Sequence, residues 1–428
     1  MMSADEAYAY IRSTQSYGSR PGLERVERLC SLLGSPQDKL SVVHVAGTNG
    51  KGSTCSMLAS ILRAAGYRSG LFLSPYLEDY RDSLLVNGEM ISMEAFADVL
   101  SEVKEKAERM ADDPPTEFEI LTAAAFLWFY KSGCGAAVLE TGMGGRLDAT
   151  NILKKPAASV ITSISIDHTA YLGETEEEIA REKCGIIKPD GLVVCAPRQK
   201  PSVRAIIAEY AAKMNSRIAE SDMDACVFGA SGLDGTELRY RGLSLHVPLA
   251  GRHQALNALT AVETAMALRE AGSFAIPDGA IETGIADTRI AARQEVMCRK
   301  PFVLLDGAHN AEGIRALLAT LMENLPGRRI VAVMGMLRDK EYEMCIAGIA
   351  SLCAALIAVK PESPRALTAE ETAAVAAKYC RRVSAPGDYA SALKDALREA
   401  GEDGAVVVCG SLYLAGPMRA LLKKMLCI

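Results

Sequence analysis

Ser41-Val-Val-His-Val-Ala-Gly-Thr-Asn-Gly-Lys-Gly-Ser53 runs a short β-branched segment into a glycine-rich turn. The turn opens a helical pattern with apolar Met57, Leu58, Ile61, Leu62 and Ala65, which Gly66 stops. Strand, glycine turn and helix in that order form the repeating unit of a parallel α/β sheet. In that setting successive backbone N–H groups and the helix N-terminus face an anion, and Lys51 adds a point charge, so the turn reads as a phosphate cradle. It is not a strict Walker A sequence: Val45 stands where the first glycine belongs, and Gly52 separates Lys51 from Ser53. The alternative is a glycine-rich turn with a solvated lysine.

The same alternation recurs on both sides. Residues 69–73, 136–140, 159–166 and 192–196 are expected strands, which gives an N-terminal sheet of at least five strands. From residue 302 the rhythm restarts: strand 302–305, helix 311–323, strand 330–334, helix 341–351, strand 354–359, helices 368–378 and 388–399, strand 405–409 and a last helix. That is a second, Rossmann-like unit. Residues 285–301, with scattered arginines and no clear period, are the expected linker.

Composition bounds the function. At 428 residues the chain has room for two to three domains, and 49% hydrophobic with 23% charged residues is ordinary globular usage. A net charge of −6 argues against a surface that grips nucleic acid or anionic lipid, while leaving room for small anionic ligands at a local cationic site. The 12 cysteines form no CxxC, and three of the five histidines lie in Gly-rich or Asp-flanked turns, so ribbon-type zinc sites find no support. Buried thiols in a reducing cytoplasm are expected. The polar, acid-bearing N-terminus is unlike a signal peptide, and the longest apolar stretch, 120–130, reads as a buried helix.

Four further segments carry candidate chemistry. Glu140-Thr-Gly-Met-Gly-Gly-Arg-Leu-Asp-Ala-Thr-Asn151 follows a strand, and an acid at the carboxyl end of an α/β strand is placed to hold Mg²⁺. Ile166-Asp-His168 closes another expected strand. Thr175 and Glu178 then read as a capping box opening a helix whose apolar stripe contains Ile179, Ala180, Ile186 and Ile187, with Lys183 in its midst. A lysine there needs a partner unless its stem snorkels to water. Asp306-Gly-Ala-His-Asn310 is a polar turn suited to a nucleotide, or an Asx turn with a helix cap. Gly251-Arg-His-Gln-Ala-Leu-Asn257 alone reads as a helix start.

Taken together, HVAGTNGKGS, LSPYL, FEILTAAAF, ETGMGGRLDATN, IDHTAYLGETEEEIAREKCGIIK, GRHQALNA and DGAHN, in order from residue 44 to 310, resemble the folylpolyglutamate synthase and dihydrofolate synthase family of the Mur ligase superfamily. The resemblance implies an α/β protein: an N-terminal P-loop ATPase domain with a largely parallel sheet (1–290) and a smaller C-terminal Rossmann-like glutamate ligase domain (291–428). It implies ATP and Mg²⁺, with a place for a second divalent or monovalent cation. The substrates would be ATP, L-glutamate and a folate or dihydropteroate, ligated through an acyl phosphate by a cytoplasmic monomer without nucleic-acid or membrane partners. Carried over residue by residue, ATP binding falls on Gly47, Thr48, Asn49, Gly50, Lys51, Gly52, Ser53, Asn257, Arg293, Asp306 and His309. Metal ligands fall on Ser74, Glu140, His168 and Lys183 as a carbamate. Catalytic roles fall on Lys183, Lys51 and His168.

This chain departs from the family pattern in two places. Tyr76 replaces the usual histidine after Ser-Pro, with Asp82-Ser83 for an Glu-Arg pair, and Ile290-Ala-Ala292 replaces Trp-Pro-Gly. A P-loop phosphotransferase would use the same cradle without glutamate, as would an amide ligase acting on another carboxylate. A non-catalytic nucleotide-binding module would have no use for Glu140, His168 and Lys183 beside it.

Overall fold

The computed structural model describes residues 2–426. The chain divides into two compact units, Met1–Cys226 with Leu256–Thr288 and Val227–Ala255 with Arg289–Ile428.

The first unit is built on eight strands: β1 (Val42–Ala46), β2 (Ser69–Phe72), β3 (Leu84–Val86), β4 (Glu89–Met90), β5 (Ala136–Glu140), β6 (Ala158–Ile161), β7 (Leu192–Cys195) and β8 (Arg217–Glu220). Their order is β4-β3-β2-β5-β1-β6-β7-β8. The six strands from β2 to β8 across the sheet are parallel, and β3 and β4 add an antiparallel edge. Every residue of β1 and β5 is buried, as expected of central parallel strands covered on both faces. After β1 the chain builds strands on one side, and after β5 on the other, so the sheet reverses direction around β1. Ligands of open α/β sheets bind at the carboxyl ends of such strands.

The apolar run expected to be a buried helix is the helix Glu117–Lys131, started by a Thr116–Glu119 capping box and buried among Phe96, Leu100 and Phe72. The strand expected over 159–166 ends at Ile161. Its continuation, Thr162-Ser-Ile-Ser165, is polar at three of four positions and turns its hydrogen bonds toward the glycine turn after β1.

The second unit holds two sheets. Strands β9 (Cys226–Gly232), β10 (Gly235–Tyr240) and β11 (Leu243–Val247) form a three-stranded sheet in the order β11-β10-β9, with β10 and β11 antiparallel. No strand was expected over these residues. The other strands are β12 (Glu295–Arg299), β13 (Phe302–Leu305), β14 (Ile330–Met334), β15 (Ala355–Ala358), β16 (Val383–Ser384) and β17 (Ala405–Cys409). They order as β12-β13-β17-β14-β15-β16, parallel except for β12. The expected linker 285–301 therefore contains an edge strand, β12, paired through a hairpin with β13. Among the described residues no helix is long and apolar enough to cross a membrane, and the described cysteines are all free thiols.

Candidate active site

The turn after β1 is held by the segment after β6. Ser163 carbonyl oxygen accepts the N–H of Thr48 at 2.7 Å and of Asn49 at 3.3 Å. Thr48 Oγ1 donates to the Ser165 carbonyl at 3.0 Å and accepts its N–H at 3.1 Å, and Thr162 Oγ1 donates to the Asn49 carbonyl at 2.8 Å. A Cβ on Gly47 would lie 1.8 Å from Thr162 Oγ1, so only glycine lets the two segments approach this closely. Gly50, at φ 82°, caps the helix Lys51–Ala64, and a Cβ on it would lie 2.3 Å from Asn257 Oδ1. The first intrahelical bond is donated by Thr54 to the Gly50 carbonyl. The N–H groups of Lys51, Gly52 and Ser53 therefore emerge from the helix N-terminus with the macrodipole behind them.

Opposite this helix end stands Glu140, the last residue of β5 and the register partner of Val45. Its carboxylate is 4% exposed, accepts the Ser74 N–H at 3.1 Å and lies 4.0 Å from Lys51 Nζ. A Cβ on Gly52 would sit 3.3 Å from it. Lys51 Nζ also donates to the Thr48 carbonyl at 3.2 Å, so its charge hangs over the mouth of the turn.

Lys183 is a buried cation. The helix Glu176–Cys184 opens with the Thr175–Glu178 capping box and is capped at Gly185, so Ile186 and Ile187 lie beyond it. The Lys183 side chain is 4% exposed and does not snorkel; Nζ donates to the Gly47 carbonyl at 2.7 Å. The loop after Glu140 packs on the end of this helix, where Arg146 N–H donates to the Glu182 carbonyl and Gly145 leaves no room for a Cβ against the Lys183 backbone. His168 is half-buried at the start of the short helix Thr169–Leu172, in the left-handed region at φ 53°.

Beneath the turn, His44 is fully buried, and its Nε2 is 2.7 Å from Thr150 Oγ1. Thr150 Oγ1 donates to Asp148 at 2.5 Å, and Asp148 accepts the Met143 N–H at 2.9 Å. Burial presses the His44 imidazole down to about 3 and pushes the Asp148 carboxyl up. This chain of polar groups ties β1 to the loop after Glu140. The sequence signal was faint: a histidine inside a β-branched run.

The second unit brings Arg293, Asp306 and His309 together at the carboxyl end of β13. Asp306 is buried, with Oδ1 accepting the Ala308 N–H at 2.6 Å and Oδ2 that of Gln294 at 3.2 Å. Burial raises its carboxyl to about 6, against the pull of Arg293 and these donors. An Arg293 Nη1 would lie 2.8 Å from a Cβ on Gly307, and His309 Nδ1 is 2.9 Å from the Gly307 carbonyl.

Residues 45–265 match the Mur ligase middle domain and residues 292–412 the Mur ligase glutamate ligase domain. The dihydrofolate synthase/folylpolyglutamate synthase of Bacillus subtilis is 34% identical over 429 residues, which span 98% of this chain and 99% of that protein. The chain belongs to the folylpolyglutamate synthase/dihydrofolate synthase family. It is accordingly an ATP-dependent ligase with the Mur ligase fold. Among solved structures, Mycobacterium tuberculosis folylpolyglutamate synthase complexed with ADP and AMPPCP superposes with a TM-score of 0.89 at 30% identity, over 98% of this chain and 99% of that one. Escherichia coli FolC in complex with DHPP and ADP gives 0.87 at 28% identity, over 99% and 100%.

Where the chain departs from the family pattern, the replacements serve the local backbone. Asp82 Oδ2 accepts the N–H groups of Glu78 at 2.7 Å and Asp79 at 2.9 Å, closing a capping box on the turn Tyr80–Ser83. Buried Ser83 gives its carbonyl to the Leu73 N–H. The Tyr76 ring lies 4.4 Å from that of Tyr80, and the helix Ala4–Ser13 reaches the same segment through Tyr8 Oη, which donates to Asp79 at 2.5 Å. Ala292, at φ 53°, gives its carbonyl to the Gly307 N–H at 2.8 Å, so the altered segment still holds the Asp306 turn.

Proposed function

We propose that this ligase adds L-glutamate to a carboxylate of a folate, with ATP cleaved to ADP and phosphate. The observation that carries the reading is the N-terminus of the helix Lys51–Ala64, with Lys51 Nζ 4.0 Å from the buried Glu140 carboxylate at the end of the neighbouring strand. The phosphates of ATP are held by the N–H groups of residues 51–53 and by Lys51, while Gly47, Thr48, Asn49 and Gly50 shape the turn beneath them. Asn257, Arg293, Asp306 and His309 contact the rest of the nucleotide. The folate carboxylate attacks the γ-phosphorus, the glutamate amine displaces phosphate from the acyl phosphate, and the amide forms. Lys51 and the helix end stabilise the charge that develops on the phosphoryl oxygens.

Mg²⁺ is the metal this reading implies. Among the described residues no cluster of three or more His, Cys, Asp or Glu side chains is arranged to hold a metal by itself. The donors present, the Glu140 carboxylate and the Ser74 hydroxyl, are hard oxygens, which fits a cation shared with substrate phosphates. His168 and Lys183, as a carbamate, complete the proposed set, and a second divalent or monovalent cation belongs to the same reading. When bound, the metal would supply charge neutralisation at the phosphates.

The proposed division of labour is an ATP-binding part over 1–290 and a glutamate ligase part over 291–428, working as a cytoplasmic monomer. ADP release measured over a matrix of pterin acceptors and amino acids, with and without Mg²⁺, tests the reading. Turnover should require a pterin acid, glutamate and Mg²⁺ together; glutamate-independent transfer to a phosphorylated product would overturn it. Because Tyr76 and Ser83 stand in the acceptor segment, kcat/KM should favour extension of a folate over dihydropteroate, and a clear preference for dihydropteroate would reverse that order.

A further inference from the structure

In a regular strand the N–H and carbonyl of one residue face the same neighbour, and Thr162, just past the end of β6, departs from that pattern. Its N–H faces β1 and donates to the Ala46 carbonyl at 2.8 Å. Its carbonyl faces the opposite edge, where the Gln199 side chain meets it. Gln199 Nε2 donates to the Thr162 carbonyl at 2.7 Å, and Gln199 Oε1 accepts the Ile164 N–H at 3.3 Å.

This reversal aims the next carbonyl. Had the ladder continued, Ser163 would face β7; with the peptide turned over, its carbonyl faces the glycine turn after β1 and accepts the Thr48 and Asn49 N–H groups. Ser165, two residues on, exchanges two hydrogen bonds with Thr48 Oγ1. Positions 163 and 165 therefore serve the turn while 162 and 164 serve Gln199, the alternation of an extended chain.

Gln199 stands where β7 has left the sheet. The Ala196 N–H still donates to the Ile161 carbonyl at 2.9 Å, after which Arg198 takes the left-handed backbone at φ 62° and the helix Pro201–Lys213 begins. The half-buried Gln199 amide supplies one donor and one acceptor, as the backbone of a continuing strand would. Thr162 is 1% exposed, so loss of the amide donor leaves a buried carbonyl unsatisfied unless the peptide turns back toward β1. Turning back withdraws the Ser163 carbonyl from Thr48 and Asn49.

We infer that Gln199, which lies outside the motifs that carry the family resemblance, is a positioning residue for the phosphates of ATP, holding the peptide whose carbonyl fixes the glycine turn. The inference rests on the reading above that this turn cradles ATP. Gln199→Met keeps the length of the side chain and removes both hydrogen bonds. KM for ATP should rise about threefold to tenfold, the range of one or two backbone hydrogen bonds loosened. KM for the pterin and for glutamate should stay at the parent's values. Amide exchange at Thr48 and Asn49, read by mass spectrometry, should quicken in the same variant. Gln199→Glu, which keeps the acceptor for Ile164 but sets a carboxylate oxygen against the Thr162 carbonyl, should show the same pattern and carries the test if the methionine variant does not fold. A parent-like KM for ATP, or a uniform rise in all three KM values with lowered Tm and unchanged exchange at Thr48 and Asn49, would overturn the inference. Lys51→Ala separates the two readings. If it cripples turnover while Gln199→Met leaves KM for ATP unchanged, Gln199 alone is misassigned; if Lys51→Ala turns over like the parent, the phosphate cradle fails and takes the inference with it.

Discussion

Lys183 Nζ donates to the Gly47 carbonyl at 2.7 Å, tying the helix Glu176–Cys184 to the first residue of the glycine turn after β1. The residues are far apart in sequence, and the bond forms because the turn after β6 and the helix that follows fold back over β1. An amine so placed has its nitrogen at the turn and its charge buried.

Lys183→Ala should abolish ligation, and a short carboxylic acid added to the assay should restore part of it by filling the vacated space with oxygens. Carbon NMR of the parent grown with labelled CO₂ should show the carbamate. A fully active parent with an unmodified lysine, together with an active mutant, would sink the carbamate role.

On the proposed reading, replacing Lys51 with alanine removes a cation that serves bound phosphate rather than a core. Turnover should fall by the equivalent of about 2.7–4 kcal/mol of barrier, as for loss of one positioned charge-stabilising group. Thermal unfolding should move little, since the Glu140 contact is 4.0 Å and partly open. Near-normal turnover would remove the cradle assignment.

His44 gives a pH signature to the stability of the first unit. Its folded-state value is depressed to about 3, so as pH falls below about 6.5 the unfolded chain takes up a proton that the native one refuses. Stability should fall between pH 6.5 and 4 with a contribution of up to about 1.4 kcal/mol per pH unit. His44→Gln should flatten that slope relative to the parent in denaturant titrations; parallel slopes would mean that His44 does not stay neutral.

Asp306 acts with the opposite sign. Its folded-state value is raised to about 6, so the native state binds the proton first and stability rises as pH falls from 6 toward 4. Above pH 6 the buried carboxylate is a liability of roughly 1–3 kcal/mol. Asp306→Asn should therefore be more stable than the parent at pH 8, with the advantage fading toward pH 4, while KM for ATP rises. Equal Tm values across that range would refute the burial effect.

The parts legible in the sequence are those whose causes lie within a few residues. The run Val42–Ala46, the glycine turn and the helix pattern after Lys51 identify one strand–turn–helix unit because β-branched bulk, glycine backbone freedom and a period of 3.6 are local properties. The Thr175–Glu178 capping box is legible for the same reason, its two hydrogen bonds spanning three residues. Glu140 could be placed at a strand end, and Lys183 recognised as a cation that needed a partner.

The identity of that partner was not legible, nor was the use of the Ser163 carbonyl to occupy the Thr48 and Asn49 N–H groups. Both depend on which strands become neighbours. The placing of β1 between β5 and β6 sets Val45 beside Glu140 and brings Thr162 onto Gly47, and nothing within a window of a dozen residues encodes it. The strands β9–β11 and the edge strand β12 escaped notice because their exposed positions dilute the apolar pattern, β9 having no buried residue. Local sequence thus determined the glycine turn, the strand-end acid and the helix starts, since each is a matter of backbone geometry and nearby hydrogen bonds. Strand order decided the partners of Lys183 and Glu140, because burying a charge requires a specific group brought from elsewhere in the chain.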